Sequence, residues 1–336
     1  MPEKQAKVVR VDRGADRAVM QEEAEELAKV GAKLIGVASS SEEETIEGAK
    51  DADVILTAAA QISRRVMEAL PKLKAVVRYG IGYDTIDVDA ATDNGVLVIN
   101  IPDFCWEEVS NHAIALLLTC AKKLVILNDA LRNDGWRAAT RMMWPMVAIH
   151  GQTLGVIGCG NIGRMMARKA QCFDLTALGY DPYLDKSVAR KCGITMVSLP
   201  ELLEKSDFVS VHCLLNDETR HLIGEKELKL MKQTAYLINT ARGSVIDEQA
   251  LIHALQEKLI AGAGVDVFEN EPVDPDNPLL KMNNVVVTPH AASYSDAAFK
   301  RLRTCVGQEA ARVISGRWPK NVVNTTVKPK VNLVKD

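Results

Sequence analysis

Thr153-Leu-Gly-Val-Ile-Gly158-Cys-Gly160-Asn161-Ile162-Gly163-Arg-Met-Met-Ala167 decides the fold, because it places G-x-G-x-x-G between an apolar β-type run and a helix. Gly158 permits a tight turn, Gly160 lets the backbone approach a pyrophosphate, and Gly163 lets helix and strand pack closely. A diphosphate would rest on the helix N-terminus, where free N–H groups and the helix dipole favour an anion. The glycines alone also fit a plain strand-turn-helix, and context separates the two. The next strand, Thr176 to Tyr180, ends at Asp181, where a carboxylate can accept hydrogen bonds from an adenosine ribose. A carboxylate there repels a 2′-phosphate, so the expected dinucleotide is NAD rather than NADP.

Outward from this unit, short apolar runs alternate with amphipathic helical segments almost throughout, the rhythm of parallel sheets covered by helices. The N-terminal series reads as strands Lys7 to Val11, Lys33 to Val37, Val54 to Thr57, Ala75 to Arg78 and Val96 to Asn100, with a helix from about Asp16 to Val30. A long helix is expected over Glu107 to about Arg132, too apolar in its first half for a solvated surface, which makes it the candidate dimer element. Asn133 to His150 reads as loop, a second α/β series runs to about Val287, and a final helix spans roughly Asp296 to Ile314.

Composition narrows the function classes. The 336 residues are 47% hydrophobic and 25% charged, an ordinary globular balance with room for about two domains. With 41 Lys+Arg against 44 Asp+Glu, the formal charge of -3 gives no reason to expect nucleic acid or an anionic membrane as partner. The longest strongly apolar run, Ala113 to Ala121, is far shorter than the ~20 residues a span needs. Met1 to Lys7 carries charges of both signs and reads as neither signal peptide nor lipid anchor. Seven scattered cysteines without C-x-x-C and six histidines without metal-ligand spacing point to reduced thiols, no metal site and a cytoplasmic setting.

Three later segments end in polar residues where a strand should stop: Leu237-Ile-Asn-Thr240-Ala241-Arg242-Gly243, Gly264-Val-Asp266-Val-Phe-Glu269-Asn-Glu271-Pro272, and Val285-Val-Val-Thr288-Pro289-His290. Ligands of open α/β sheets bind outside the carboxyl ends of strands, so these residues face one crevice. A guanidinium suits the carboxylate or carbonyl of a 2-oxo acid, and a histidine beside a carboxylate suits proton transfer near neutral pH. Strand position alone does not choose between His290 and His212, nor between Glu269 and Glu271.

At these residues the sequence closely resembles the D-isomer-specific 2-hydroxyacid dehydrogenases, over nearly its whole length. Arg78-Tyr79-Gly80-Ile81-Gly82-Tyr83-Asp84-Thr85-Ile86-Asp87 belongs to the same set of matching motifs, in family order and spacing. The resemblance implies an α/β fold of two doubly wound parallel-sheet domains. A Rossmann NAD-binding domain, residues 103–293, would be inserted into a flavodoxin-like substrate domain formed by residues 1–102 and 294–336. It implies Arg242 as the substrate-orienting cation, His290 as proton donor and acceptor, and Glu271 rather than Glu269 as its partner. Arg78, Tyr79, Gly80, Ile81 and Gly82 match the loop receiving the substrate carboxylate. Gly158, Gly160, Asn161, Ile162, Gly163, Asp181, Cys213, Thr219, Thr240, Ala241, Arg242, Asp266, His290 and Ala292 match the cofactor side. The implied reaction is hydride transfer between NAD(H) and a small 2-oxo or 2-hydroxy acid, in a homodimer.

Within the family, Tyr180-Asp181-Pro182-Tyr183-Leu184-Asp185, His212-Cys213 and His290-Ala291-Ala292 look most like the C-terminal-binding-protein branch, which includes NAD-sensing corepressors. That raises an alternative, a redox-gated binding protein. Ser293, where that branch carries a tryptophan, and Val109, where it carries a threonine, weigh against it, as does an intact Arg242, Glu271 and His290 set.

Overall fold

The computed structural model describes residues 5–18 and 20–335; residues 1–4, most of the polar start read above as free of a leader, lie outside them. The chain divides into two compact units, Met1–Phe104 with Ser295–Asp336, and Cys105–Tyr294. The crossings expected at 102–103 and 293–294 compare with 104–105 and 294–295 here.

The first unit runs β1 (Lys7–Asp12), α1 (Gln21–Ala28), β2 (Lys33–Ala38), α2 (Glu42–Gly48), β3 (Val54–Thr57), α3 (Arg64–Ala69), β4 (Ala75–Arg78), α4 (Val88–Asp93) and β5 (Leu97–Ile99). Its five strands are parallel in the order β2-β1-β3-β4-β5, the flavodoxin-like order. β3 and β5 are buried at every position, as strands covered on both faces must be, which is why they read as unbroken apolar runs.

The second unit opens with α5 (Trp106–Ala121), α6 (Leu124–Asn133) and α7 (Trp136–Met142). It continues through β6 (Thr153–Ile157), α8 (Asn161–Gln171), β7 (Thr176–Tyr180), α9 (Lys186–Lys191), β8 (Ile194–Met196), α10 (Leu199–Lys205) and β9 (Phe208–Val211). It closes with α11 (Glu225–Leu230), β10 (Tyr236–Asn239), α12 (Glu248–Gln256), β11 (Gly262–Val265) and β12 (Val285–Val287), after which α13 (Asp296–Ile314) belongs to the first unit. The seven parallel strands lie in the order β12-β11-β10-β9-β6-β7-β8. The chain reverses its direction of travel across the sheet between β6 and β9, and the crevice outside their carboxyl ends is the switch point where ligands bind in such sheets.

Two expectations are corrected. The helix expected over Glu107 to Arg132 is two helices, because Lys123 takes a left-handed conformation (φ 52°) that stops α5. The physical difference lies in packing: α5 buries eight residues from Val109 to Ala121, whereas only Ala130 of α6 is buried. The segment 133–150, expected as loop, holds α7, none of whose side chains is buried.

Among the described residues no helix is long and apolar enough to cross a membrane, and no group of three or more His, Cys, Asp or Glu could hold a metal ion.

Candidate active site

The glycine turn sits at the switch point of the second sheet. Gly158 has φ 85°, and a Cβ on it would stand 2.5 Å from the backbone nitrogen of Cys213, at the end of the neighbouring β9. A Cβ on Gly163 would stand 2.1 Å from the Gly158 carbonyl oxygen, so any side chain would push α8 off the turn. Gly160, by contrast, looks onto open space, with nothing within 4 Å of where its Cβ would be. A bare backbone at a helix N-terminus beside an open space is what a dinucleotide diphosphate needs, and the site fits that group. Arg164, which the sequence reading passed over, adds charge here: its guanidinium reaches the Cys159 carbonyl (2.9 Å) and Asn161 Oδ1 (2.7 Å).

Asp181 follows β7 and its carboxylate is built into the turn. Oδ2 accepts the Cys159 N–H at 2.9 Å, and Oδ1 accepts those of Tyr183 and Leu184 at 2.9 and 3.1 Å. These bonds fix the carboxylate in the turn after β7, beside the glycine turn. Asp181→Asn is expected to narrow the preference for NADH over NADPH by about tenfold, or 1.4 kcal/mol, in fluorescence titrations. An unchanged ratio of dissociation constants would remove Asp181 as the determinant. In the loop after β9 the Thr219 hydroxyl donates to the Leu214 carbonyl at 2.6 Å and accepts from the Asn216 N–H at 2.9 Å. Burial pushes the Cys159 thiol up to about 12 and the Cys213 thiol up to about 11, so both stay protonated and neither is a nucleophile at neutral pH.

On the β10, β11 and β12 side the three polar segments do meet. Gly243 packs directly on the Phe268–Glu269 backbone, a Cβ there standing 1.9 Å from the Phe268 carbonyl carbon, and this locks the turn bearing Arg242 to the loop bearing the acids. Arg242 Nη1 donates to the Ala241 carbonyl at 2.7 Å, and the Arg242 carbonyl accepts from Asn239 Nδ2 at 2.9 Å. Thr240 Oγ1 is buried with no hydrogen-bond partner among the described residues, an orphaned polar atom that also suits a bound cofactor.

His290 Nδ1 lies 2.7 Å from Glu271 Oε2, and Glu271 Oε1 accepts the Phe268 N–H at 3.1 Å. Burial tends to raise the Glu271 carboxyl, but the His290 bond and charge, the Phe268 amide and the Arg242 charge outweigh it and hold the group below its usual 4.5. Glu271 is therefore a carboxylate throughout the neutral range, and its partnership fails only as the pH falls below that value. Glu269 points elsewhere, to His221 Nε2 at 2.6 Å. Asp266, fully buried, accepts from Thr288 Oγ1 and from the N–H groups of Ala291 and Ala292 at 2.5, 2.8 and 2.9 Å, so both Asp266 and Ala292 shape the His290 loop.

His212 sits apart from this cluster. Its Nε2 is 2.8 Å from Ser210 Oγ, and burial pushes the ring down from 6.5 to about 4. The folded chain thus binds fewer protons than the unfolded one in that window: the contribution of His212 to stability is complete above about pH 6.5 and is lost as pH falls toward 4. Relative to His212→Asn, the advantage of the native residue is expected to shrink by about 2 kcal/mol from about pH 7.5 to about pH 5 in urea unfolding. A pH-independent difference would remove burial of the neutral ring as the cause.

In the first unit, β4 delivers Arg78 to the loop 79–82. Arg78 does not extend outward; its guanidinium folds back to the Tyr79 carbonyl and lies over Gly80, where φ is 136° and a Cβ would meet Arg78 Nη1 at 1.7 Å. The Gly80 N–H donates to the Arg78 carbonyl at 3.0 Å, which leaves those of Ile81 and Gly82 as the loop amides without such a bond among the described residues. Tyr79 anchors the loop inward, donating to the buried Glu23 at 2.7 Å.

Residues 114–292 match the family model for the D-isomer specific 2-hydroxyacid dehydrogenase, NAD binding domain. A glyoxylate reductase of Korarchaeum cryptofilum is 43% identical over 292 residues, covering 86% of this chain and 88% of its own. Among solved structures, an NADPH-dependent glyoxylate/hydroxypyruvate reductase of Sinorhizobium meliloti in complex with NADP and malonate superposes with a TM-score of 0.86 at 28% identity, covering 98% of this chain and 100% of that one. A D-lactate dehydrogenase of Aquifex aeolicus, complexed with NAD and lactic acid, gives 0.80 at 30% identity, covering 94% and 99%.

Proposed function

This chain belongs to the D-isomer specific 2-hydroxyacid dehydrogenase family and is an NAD-dependent oxidoreductase acting on CH–OH donors, and from that premise we propose that it interconverts a small 2-oxo acid and its D-2-hydroxy acid with Arg242, Glu271 and His290 as the working side chains. The observation that carries the reading is the His290–Glu271 pair at 2.7 Å, on an acid loop that the Gly243 contact also joins to the turn bearing Arg242. NADH, when bound, supplies the hydride. His290 holds its Nδ1 against Glu271, which leaves Nε2 to give a proton to the substrate oxygen during reduction and to take it back in oxidation. Arg242 orients the substrate through charge-assisted bonds. Gly158, Gly160 and Gly163 admit the diphosphate, and Asp181 takes the adenosine ribose.

Relatives named for glyoxylate reduction favour a short side chain on the substrate. The test is loss of NADH absorbance against glyoxylate, hydroxypyruvate, pyruvate, phosphohydroxypyruvate and branched or aromatic analogues. Fast turnover of a small member supports the reading; uniformly slow turnover with tight NADH binding overturns it in favour of an NAD-sensing binding protein.

The same proposal includes a homodimer in the cytoplasm. Leu124, Val125 and Leu131 of α6, Trp136 of α7 and Trp144 are exposed, the two tryptophans by 76% and 84%, a run of apolar surface of the kind that marks a protein interface. All seven cysteines are free, which suits a reducing compartment.

A further inference from the structure

We propose that His112, on α5, is a positioning residue that fixes the loop carrying His290, an inference that rests on the reading of His290 as the proton-transfer group. His112 Nε2 lies 2.9 Å from Thr288 Oγ1 and 3.5 Å from Asp266 Oδ1. The Thr288 hydroxyl gives its one proton to Asp266 Oδ1, so toward His112 it can only accept, and the proton between them resides on His112 Nε2. Asp266 in turn accepts the N–H groups of Ala291 and Ala292 with its carboxylate and that of His290, at 2.7 Å, with its main-chain carbonyl. The chain of bonds from His112 therefore reaches both the backbone of His290 and the residues that follow it.

That backbone needs holding. His290 has φ 52°, a left-handed conformation that a non-glycine residue keeps only when its surroundings impose it. Glu271 restrains the ring at one end, and the Asp266–Thr288–His112 network restrains the main chain at the other. The helix that supplies His112 is itself anchored: Lys169 Nζ of α8 bonds Glu107 Oε2, Ser110 Oγ and Asn111 Oδ1 of α5 at 2.7, 2.6 and 2.7 Å. α5 thus ties the helix whose N-terminus faces the diphosphate space to the loop bearing the proton-transfer residue. A proton donor displaced by a fraction of an ångström loses rate without losing cofactor affinity.

The test compares His112→Leu with His112→Gln, whose amide N–H can reach the same acceptor. With NADH and glyoxylate, His112→Leu is expected to lower kcat about 10- to 100-fold and to raise the solvent isotope effect on kcat, with the Kd of NADH by fluorescence unchanged within about threefold. His112→Gln is expected to recover most of the rate. In the unliganded protein, long-range proton–nitrogen NMR is expected to assign His112 the Nε2–H tautomer. Near-normal kcat in His112→Leu, parallel loss of NADH binding, a glutamine variant no better than leucine, or the Nδ1–H tautomer would each overturn the inference. His290→Asn, run alongside, separates the two failures: if it keeps turnover, the reading of the site falls; if only His112→Leu keeps turnover, the positioning role falls alone.

Discussion

Replacing His290 by asparagine is expected to lower kcat for 2-oxo acid reduction by about 10³-fold near neutral pH, with the Kd of NADH changed by no more than about threefold. The size follows from the role proposed for the ring: a general acid would remove the need to form a free alkoxide, a contribution that commonly spans two to four orders of magnitude. Selectivity for kcat follows from location, because His290 follows β12 at one edge of the sheet, four strands from β6, which leads into Gly158, and five from β7, which leads into Asp181. The companion substitution His212→Asn should leave kcat within a fewfold, since its ring is neutral down to about pH 4 and bonded to Ser210. Stopped-flow NADH oxidation checks both. Turnover surviving in His290→Asn and vanishing in His212→Asn would reverse the assignment.

The second large effect is expected at Arg242. Arg242→Ala should reduce kcat/KM by about 10³-fold, close to 4 kcal/mol, the sum of two charge-assisted bonds to substrate. Arg242→Lys should still lose about 10²-fold, because an ammonium keeps the charge but cannot offer two parallel donors. The backbone supports this view of a pre-set guanidinium: the carbonyl of Arg242 is held by Asn239 and its Nη1 by the Ala241 carbonyl, so the side chain enters substrate binding with little freedom left to lose. Steady-state kinetics on the fastest panel substrate measures the effect. Equal activity of the lysine variant would show that charge alone, not the planar fork, is what the site uses.

Much of the fold was legible because its signals are local. Parallel strands buried on both faces must be apolar along their length, so Val54–Thr57 and Ala75–Arg78 stand out in sequence at their observed bounds, as does α13 over Asp296–Ile314. The break at Lys123 was not legible, since lysine is a good helix former and nothing in its own propensity announces a left-handed conformation. In the site, Glu269 and Glu271 are two residues apart on one loop and chemically identical. Only the folded loop sends one to His221 and the other to His290. His112 gave no sequence signal at all, lying on an apolar helix 176 positions from the threonine it meets.

The sequence by itself determined the parallel α/β class, the dinucleotide turn with its three glycines and the strand-end placement of Arg242, Asp266 and His290, because each depends on residue spacing within one strand-turn-helix unit. The tertiary structure decided which histidine lies against a carboxylate and which is held neutral by its surroundings, which acid that carboxylate belongs to, and that Asp266, Thr288 and His112 share one run of hydrogen bonds. Those outcomes depend on distances between segments far apart in the chain, and on desolvation, neither of which is encoded in any local pattern.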